Sequence, residues 1–275
     1  MTRFRASAGF TERWQHFDFG IADGVATVTL TRPEKLGALT FDVYADLRDL
    51  LTELPHRGDA SVVVITGSGR GFCSGGDVVE IIGALQSMQA GDLLEFTRMT
   101  GSVVRALREC PLPVIAAVNG IAAGAGAVIA LAADIRLLAR SARFAFLFTK
   151  VGLAGADMGS AYLLPRVIGF GRASELLLLG DTVDADRALE IGLATVVVDD
   201  GELAGAATAM ARRLADGPAL AYSTTKVLLT RELDMGLTGS LELDAMTQAL
   251  LMGSHDHAEY HRAWTEGRAP VWEGR

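Results

Sequence analysis

The sequence predicts an α/β layered domain over about residues 1–200, followed by a helical region over 201–275. Three observations lead there. Short β-branched runs alternate with helix-period segments as far as Val198. Past Asp199 only the helical pattern remains, so the boundary falls near 199–205. Glycines gather directly after two buried-strand patterns, in Gly67–Gly76 and Gly120–Gly126.

Gly24–Leu30 alternates Val, Thr and Leu and predicts a strand. Thr31–Lys35 is a polar loop, held out of helix by Pro33. Thr40 or Asp42 opens a helix to about Leu54, with Val43, Leu47, Leu50, Leu51 and Leu54 on its apolar face. Ser61–Thr66 and Val114–Val118 are β-branched or wholly apolar runs, the mark of buried strands. A helix is expected from about Asp77, another over Leu93–Arg108, and a third after Gly126 to about Ala132. Ile135–Leu138 predicts a strand, and Phe144–Phe148 a strand or loop. Helices follow over Met158–Val167, Arg172–Leu179 and Asp184–Ile191, with a last strand at Thr195–Val198.

Composition excludes several classes. The chain has 275 residues, 25 basic and 33 acidic, for a formal charge of −8. An anionic surface argues against nucleic acid, whose phosphates need clustered Lys and Arg. Cys73 and Cys110 are too few for a disulfide framework or a four-cysteine metal cluster, which fits a reduced, cytoplasmic setting. Met1–Asp18 carries charges throughout with no apolar run, so no secretory signal is expected. Val114–Ala133 is uncharged and long enough to span a bilayer, but its Ala and Gly content and the break at Asn119-Gly120 favour a packed interior segment; no membrane partner is expected.

Familiar catalytic patterns are missing. All five histidines (His16, His56, His255, His257 and His261) lie near the ends, far from the glycine turns, so a Ser-His-Asp or Cys-His site is not expected. His257 and His261 have a metal-compatible i, i+4 spacing, yet surface residues explain such a pair better, and no metal is expected. Gly67-Ser68-Gly69-Arg70-Gly71-Phe72 fails the dinucleotide pattern at its sixth position. Backbone donors and carboxylates are left as the chemical tools.

Two strand-turn-helix units supply such donors, one turning at Gly75-Gly76 and one at Gly124-Ala125-Gly126. Helix starts carry unpaired N–H groups, and two side by side can hold an oxygen that gains negative charge. The same glycines are equally consistent with tight packing alone. Asp157, just ahead of an apolar helix, is either an N-cap or a carboxylate in an apolar pocket near Phe146, Phe148 and Met158, where burial would raise its pKa and suit it to moving protons.

The stretches Gly69-Arg70-Gly71-Phe72-Cys73-Ser74-Gly75-Gly76-Asp77 and Val118-Asn119-Gly120-Ile121-Ala122-Ala123-Gly124-Ala125-Gly126 resemble the two signatures of the enoyl-CoA hydratase/isomerase (crotonase) superfamily. Thr31–Leu39, Leu163–Gly169 and Arg187–Leu193 resemble its other landmarks, so the likeness covers nearly the whole chain. It implies a crotonase-like spiral of ββα units and a C-terminal helical trimerisation region, assembled as a homotrimer or dimer of trimers. It implies an acyl-CoA thioester substrate and no cofactor beyond that CoA moiety. By motif position, the oxyanion donors are the N–H groups of Gly76 and Ala125, and the CoA contacts are Lys35, Leu36, Ala38, Ser74, Gly75, Asp77 and Val78.

The departures narrow the reaction. Gly37 stands where the family usually has Asn, and Gly267 where it usually has Lys, which removes one expected CoA contact. The two glutamates of the family's hydratases align with Val128 and Phe148, neither of which moves a proton. Asp157 matches the working aspartate of other branches, and the run Val118–Pro165 is most similar to the 1,2-epoxyphenylacetyl-CoA isomerase-like branch. The expectation is an isomerase in which Asp157 shuttles a proton. Hydration, hydrolase or dehalogenase chemistry through Asp157 is the alternative, and a non-catalytic acyl-CoA-binding protein is an alternative of another class.

Overall fold

The computed structural model describes residues 9–274. Residues 1–8, part of the N-terminal stretch read above, and Arg275 lie outside them. The strands are β1 (Asp18–Ala22), β2 (Val25–Leu30), β3 (Val62–Gly67), β4 (Gly71–Cys73), β5 (Val114–Val118), β6 (Ile121–Ala123), β7 (Ile135–Ala139), β8 (Arg143–Ala145), β9 (Thr182–Asp184) and β10 (Val196–Val198). The helices are α1 (Phe41–Arg57), α2 (Gly83–Leu85), α3 (Ala90–Glu109), α4 (Ala125–Ala132), α5 (Ser160–Ile168), α6 (Phe170–Leu179), α7 (Ala185–Glu190), α8 (Leu203–Ala215), α9 (Ala219–Glu232), α10 (Leu237–Met252) and α11 (His255–Glu266).

Two sheets form, a larger one ordered β1-β2-β3-β5-β7-β10 and a smaller one ordered β4-β6-β8-β9. The chain visits them alternately. β3, β5 and β7 pair in parallel in the larger sheet, and each is followed by a strand of the smaller sheet, where β4, β6 and β8 also pair in parallel. Helices complete the turns, so the topology is the spiral of ββα units that the resemblance implies. β5 is buried at every position because helix and sheet cover both its faces. α8 lays Leu203, Ala207 and Ala211 on the sheet. α9 is tied to α3 by buried Lys226, whose ammonium donates to the Leu107 and Leu112 carbonyls and pairs with Asp134 at 2.8 Å.

The structure revises several local expectations. The glycine stretches are not turns throughout: each contains a short strand, β4 and β6. Strands of only three residues give no β pattern, but these two pair with each other and seed the second sheet. β1 precedes the predicted strand and forms a hairpin with it through Asp23-Gly24, whose φ values of 49° and 76° fit a tight two-residue turn. The helix expected at Asp77 begins as a wide π turn, Val78–Ile82. Val114–Ala133 divides into β5, β6 and α4, and among the described residues no helix is long and apolar enough to cross a membrane.

Successive turns of the spiral touch backbone to backbone. A Cβ on Gly120 would collide with the Arg70 carbonyl, and one on Gly126 with the Cys73 carbonyl. Asn119 clamps the same junction: its side chain accepts from Gly67 N–H at 3.1 Å and donates to the Gly69 and Gly71 carbonyls at 3.1 and 3.2 Å. Gly126→Ala is therefore expected to cost about 3 kcal/mol or more, since neither carbonyl nor helix start can yield. Gly101→Ala is the control, in mid-α3 with open space around its Cβ. It should gain about 0.5–1 kcal/mol. Urea unfolding of both variants checks the contrast.

Candidate active site

The site is assembled from the Arg32–Leu39 loop, the Ser74–Asp77 turn, the start of α4 and the Gly155–Ser160 turn. The first two are laced together. Ser74 N–H donates to the Leu36 carbonyl and its hydroxyl to the Lys35 carbonyl, both at 2.9 Å. Leu39 N–H donates to Gly75 O at 2.8 Å, and Asp77 N–H to Leu39 O at 2.9 Å. This bridge uses the groups on either side of Gly76 and leaves the Gly76 N–H out. Gly75 has φ 97°, and a Cβ there would lie 3.0 Å from Ala123 O and 3.6 Å from Ala125 N. The glycine turn thus abuts the start of α4. Ala125 is the first residue of that helix, so its N–H has no intrahelical acceptor.

Charges in this region are mutually compensated. Asp77, only 3% exposed, accepts from Lys35 Nζ at 2.6 Å and Arg32 at 2.9 Å, and its other oxygen caps the Val79 and Glu80 N–H groups. The Lys35 ammonium, helped by those N–H groups, holds the Asp77 carboxyl well below the usual carboxylate range. Arg32 also pairs with Glu80 at 2.7 Å and reaches the Ala38 carbonyl. Of the predicted CoA contacts, Lys35, Leu36, Ala38, Ser74, Gly75 and Asp77 are thereby brought together, whereas Val78 is 74% exposed and makes none of those hydrogen bonds. Gly37 has φ 70°, a left-handed conformation that Asn also tolerates, but a Cβ there would press on the Phe72 carbonyl. Gly267 caps α11 with φ 68°, so here the backbone favours glycine over the family's usual lysine.

Asp157 is half-buried and makes no ion pair among the described residues. It is not the N-cap of the following helix; Gly159 is. Its carboxylate accepts from the adjacent Met158 N–H at 2.9 Å. Its own N–H donates to the Ser160 hydroxyl, which in turn donates to the Gly155 carbonyl, both at 3.1 Å. Ser160 is fully buried, and a Cβ on Gly155 would collide with the Leu177 carbonyl. Met158 has φ 49°, a left-handed strain of about 1 kcal/mol that this packed turn must sustain. Burial raises the Asp157 carboxyl above its ordinary value, and the Met158 N–H offsets part of the rise. Phe146 is completely buried, and Phe148 and Met158 nearly so. Val128, also buried, lies within α4, against which α5 packs.

Other residues are occupied elsewhere. Lys150 pairs with Asp181, and Tyr162 donates to Asp234. Burial pushes the Cys73 thiol up to about 12, which removes it as a thiolate nucleophile. His257 and His261 lie on α11, and among the described residues no group of three potential metal ligands assembles. Sequence reasoning missed Ser160 and Arg32, which carry no pattern that separates them from ordinary polar residues.

The family model described as enoyl-CoA hydratase/isomerase matches residues 20–275. The chain belongs to this family. It is 38% identical over 260 residues to the 1,2-epoxyphenylacetyl-CoA isomerase of Escherichia coli K12, covering 93% of this chain and 97% of that protein. It is 33% identical over 256 residues to the (E)-benzylidenesuccinyl-CoA hydratase of Thauera aromatica, covering 92% and 97%. The solved structure of a protein from Streptomyces coelicolor A3(2), described as a putative enoyl-CoA hydratase, superposes with a TM-score of 0.98 at 62% identity, covering 100% of each chain. Fold and acyl-CoA family are thus shared with proteins named for both isomerisation and hydration.

The Asp157 environment sets a pH signature. Its folded-state pKa is raised, so the native protein favours the protonated form, and the penalty for ionising grows as pH rises through that value. Asp157→Asn removes the penalty. The variant should match the wild type at about pH 3, below the ordinary Asp pKa, and unfold at a higher urea concentration at about pH 8. A lower midpoint at the upper pH would mean that the anion stabilises the turn.

Proposed function

We propose that this chain is an acyl-CoA isomerase in which Asp157 relocates a proton along an enolisable acyl group. The observation that carries the reading is the setting of Asp157: a half-buried carboxylate with a raised pKa and no cationic partner among the described residues, in a site where Val128 and Phe148 are apolar. The thioester oxygen accepts from the N–H groups of Gly76 and Ala125. Asp157 takes a proton from one carbon, the electron pair moves toward the thioester oxygen as an enolate, and the same carboxyl returns the proton to another carbon. No water is consumed, so one carboxylate suffices.

CoA binds along Lys35–Ala38 and Ser74–Asp77 in this reading, with backbone groups as the main contacts because Lys35 is already paired with Asp77. Assembly through the C-terminal helices is supported by the exposure of Leu237, Leu250 and Trp264, each more than three-quarters exposed in the single chain. Hydration is the second reading, supported by the hydratase named among the relatives.

With a panel of enoyl-CoA thioesters in D2O, the wild type should move the double bond and place deuterium at the shuttled carbon. Asp157→Asn should lower the rate at least 100-fold. Net addition of water without isomerisation would favour hydration, and a mass-trapped aspartyl adduct would assign nucleophilic attack. Ala125→Pro tests the oxyanion donor, since proline is tolerated at a first helical position while its N–H is absent. It should fold normally and lose about 100- to 1000-fold in kcat.

A further inference from the structure

A cavity of about 700 Å³ lies between α3, the Asp157 turn with the start of α5, and the end of α9. Pockets of that size hold small organic ligands. One wall is apolar, built from Val104, Met158, Leu163 and Leu233. Met158 and Gly159 of the Asp157 turn line it, and a Cβ on Gly159 would lie 3.9 Å from Val104. The cavity therefore backs directly onto the turn that carries the candidate catalytic carboxylate.

The opposite wall carries three arginines, Arg105 and Arg108 on α3 and Arg231 on α9. The two helices are joined at this corner, where Arg108 donates to the Thr230 hydroxyl at 3.0 Å. Arg108 also pairs with Asp134 at 3.1 Å, and Asp134 serves Lys226 as well, so one negative charge is shared by two cations. Arg105 and Arg231 are exposed and have no hydrogen-bonding or ionic partner among the described residues. Two carboxylates line the cavity too. Asp234 is taken by the Tyr162 hydroxyl at 2.7 Å and by Arg166 at 3.4 Å, and Glu109 offsets one arginine. Cations thus stay in excess here, in a chain whose net charge is −8.

Free arginines on a convex surface are satisfied by water. These share one concavity with an apolar wall, an arrangement suited to a ligand with an apolar body and an anionic end. The body leaves water against the wall, and a planar guanidinium takes both oxygens of a carboxylate. We infer that this cavity binds an apolar chain ending in a carboxylate. Val104 and Arg108 are four residues apart, so the carboxylate sits about 6 Å along α3 from the Asp157 turn. The chain is either a free carboxylate or the far end of an acyl group whose thioester lies at Gly76 and Ala125. The first source is independent of the acyl-CoA reading, and the second rests on it.

Calorimetry with two ligand pairs separates the sources: octanoate against octanol, and the monothioester octanedioyl-CoA against octanoyl-CoA. The wild type should bind the member with the free carboxylate about tenfold more tightly in at least one pair. The double variant Arg105→Gln/Arg231→Gln should erase that preference, and it should fold normally because both side chains are exposed. Gly101→Leu fills the cavity from mid-α3, where a Cβ meets open space. It should weaken the same ligand about tenfold with every charge kept. A preference in the octanoate pair assigns a free carboxylate, and one in the thioester pair assigns the acyl group. No preference in either pair, or binding that survives either variant unchanged, overturns the inference. Failure of both thioesters to bind counts against the acyl-CoA reading alone, since the octanoate pair then decides this one.

Discussion

Successive turns of the spiral approach so closely at two points that no side chain fits between them, and the rest of the site depends on that contact. Gly120 lies on the Arg70 carbonyl and Gly126 on the Cys73 carbonyl. The second contact fixes α4 against the Ser74–Asp77 turn, which sets Ala125 N beside Gly75. Two backbone N–H groups from different turns of the spiral are thus registered without any side chain reaching between them. Such donors need no reorganisation when charge develops on a bound oxygen.

The polar side chains around this frame mainly hold one another. Arg32 and Lys35 supply two positive charges, Asp77 and Glu80 two negative ones, and all four interlock. An anionic ligand arriving there meets little net attraction from side chains. Binding there would rely on main-chain dipoles and shape, in keeping with the protein's net charge of −8. Asp157 stands apart from this cluster, and burial, with no cation paired to it among the described residues, raises its carboxyl above the ordinary value.

Much of this was legible in the sequence. Buried strands such as Val114–Val118 announce themselves by composition, and the long glycine motifs resemble one family closely enough to give its fold. The smaller sheet was not legible, because Gly71–Cys73 and Ile121–Ala123 are three-residue strands whose pairing is purely tertiary. The N-terminal hairpin was signalled by Asp23-Gly24 and overlooked, since β1 reads as the mixed segment Asp18–Ala22. Asp157 stood out in the sequence as a candidate, but the N-cap alternative fails: the helix starts later because Met158 and Gly159 both adopt left-handed conformations.

Asp157 is aimed by the main chain and by Ser160, whose hydroxyl binds backbone atoms only. Among the described residues no side chain holds the carboxylate, so none must change in step with it. Replacing residue 157 alters the carboxylate and leaves its mounting in place. In evolutionary terms the mounting and the chemistry are separable: a lineage can try a new acid, base or nucleophile by a single substitution, with little epistatic debt to the surrounding scaffold.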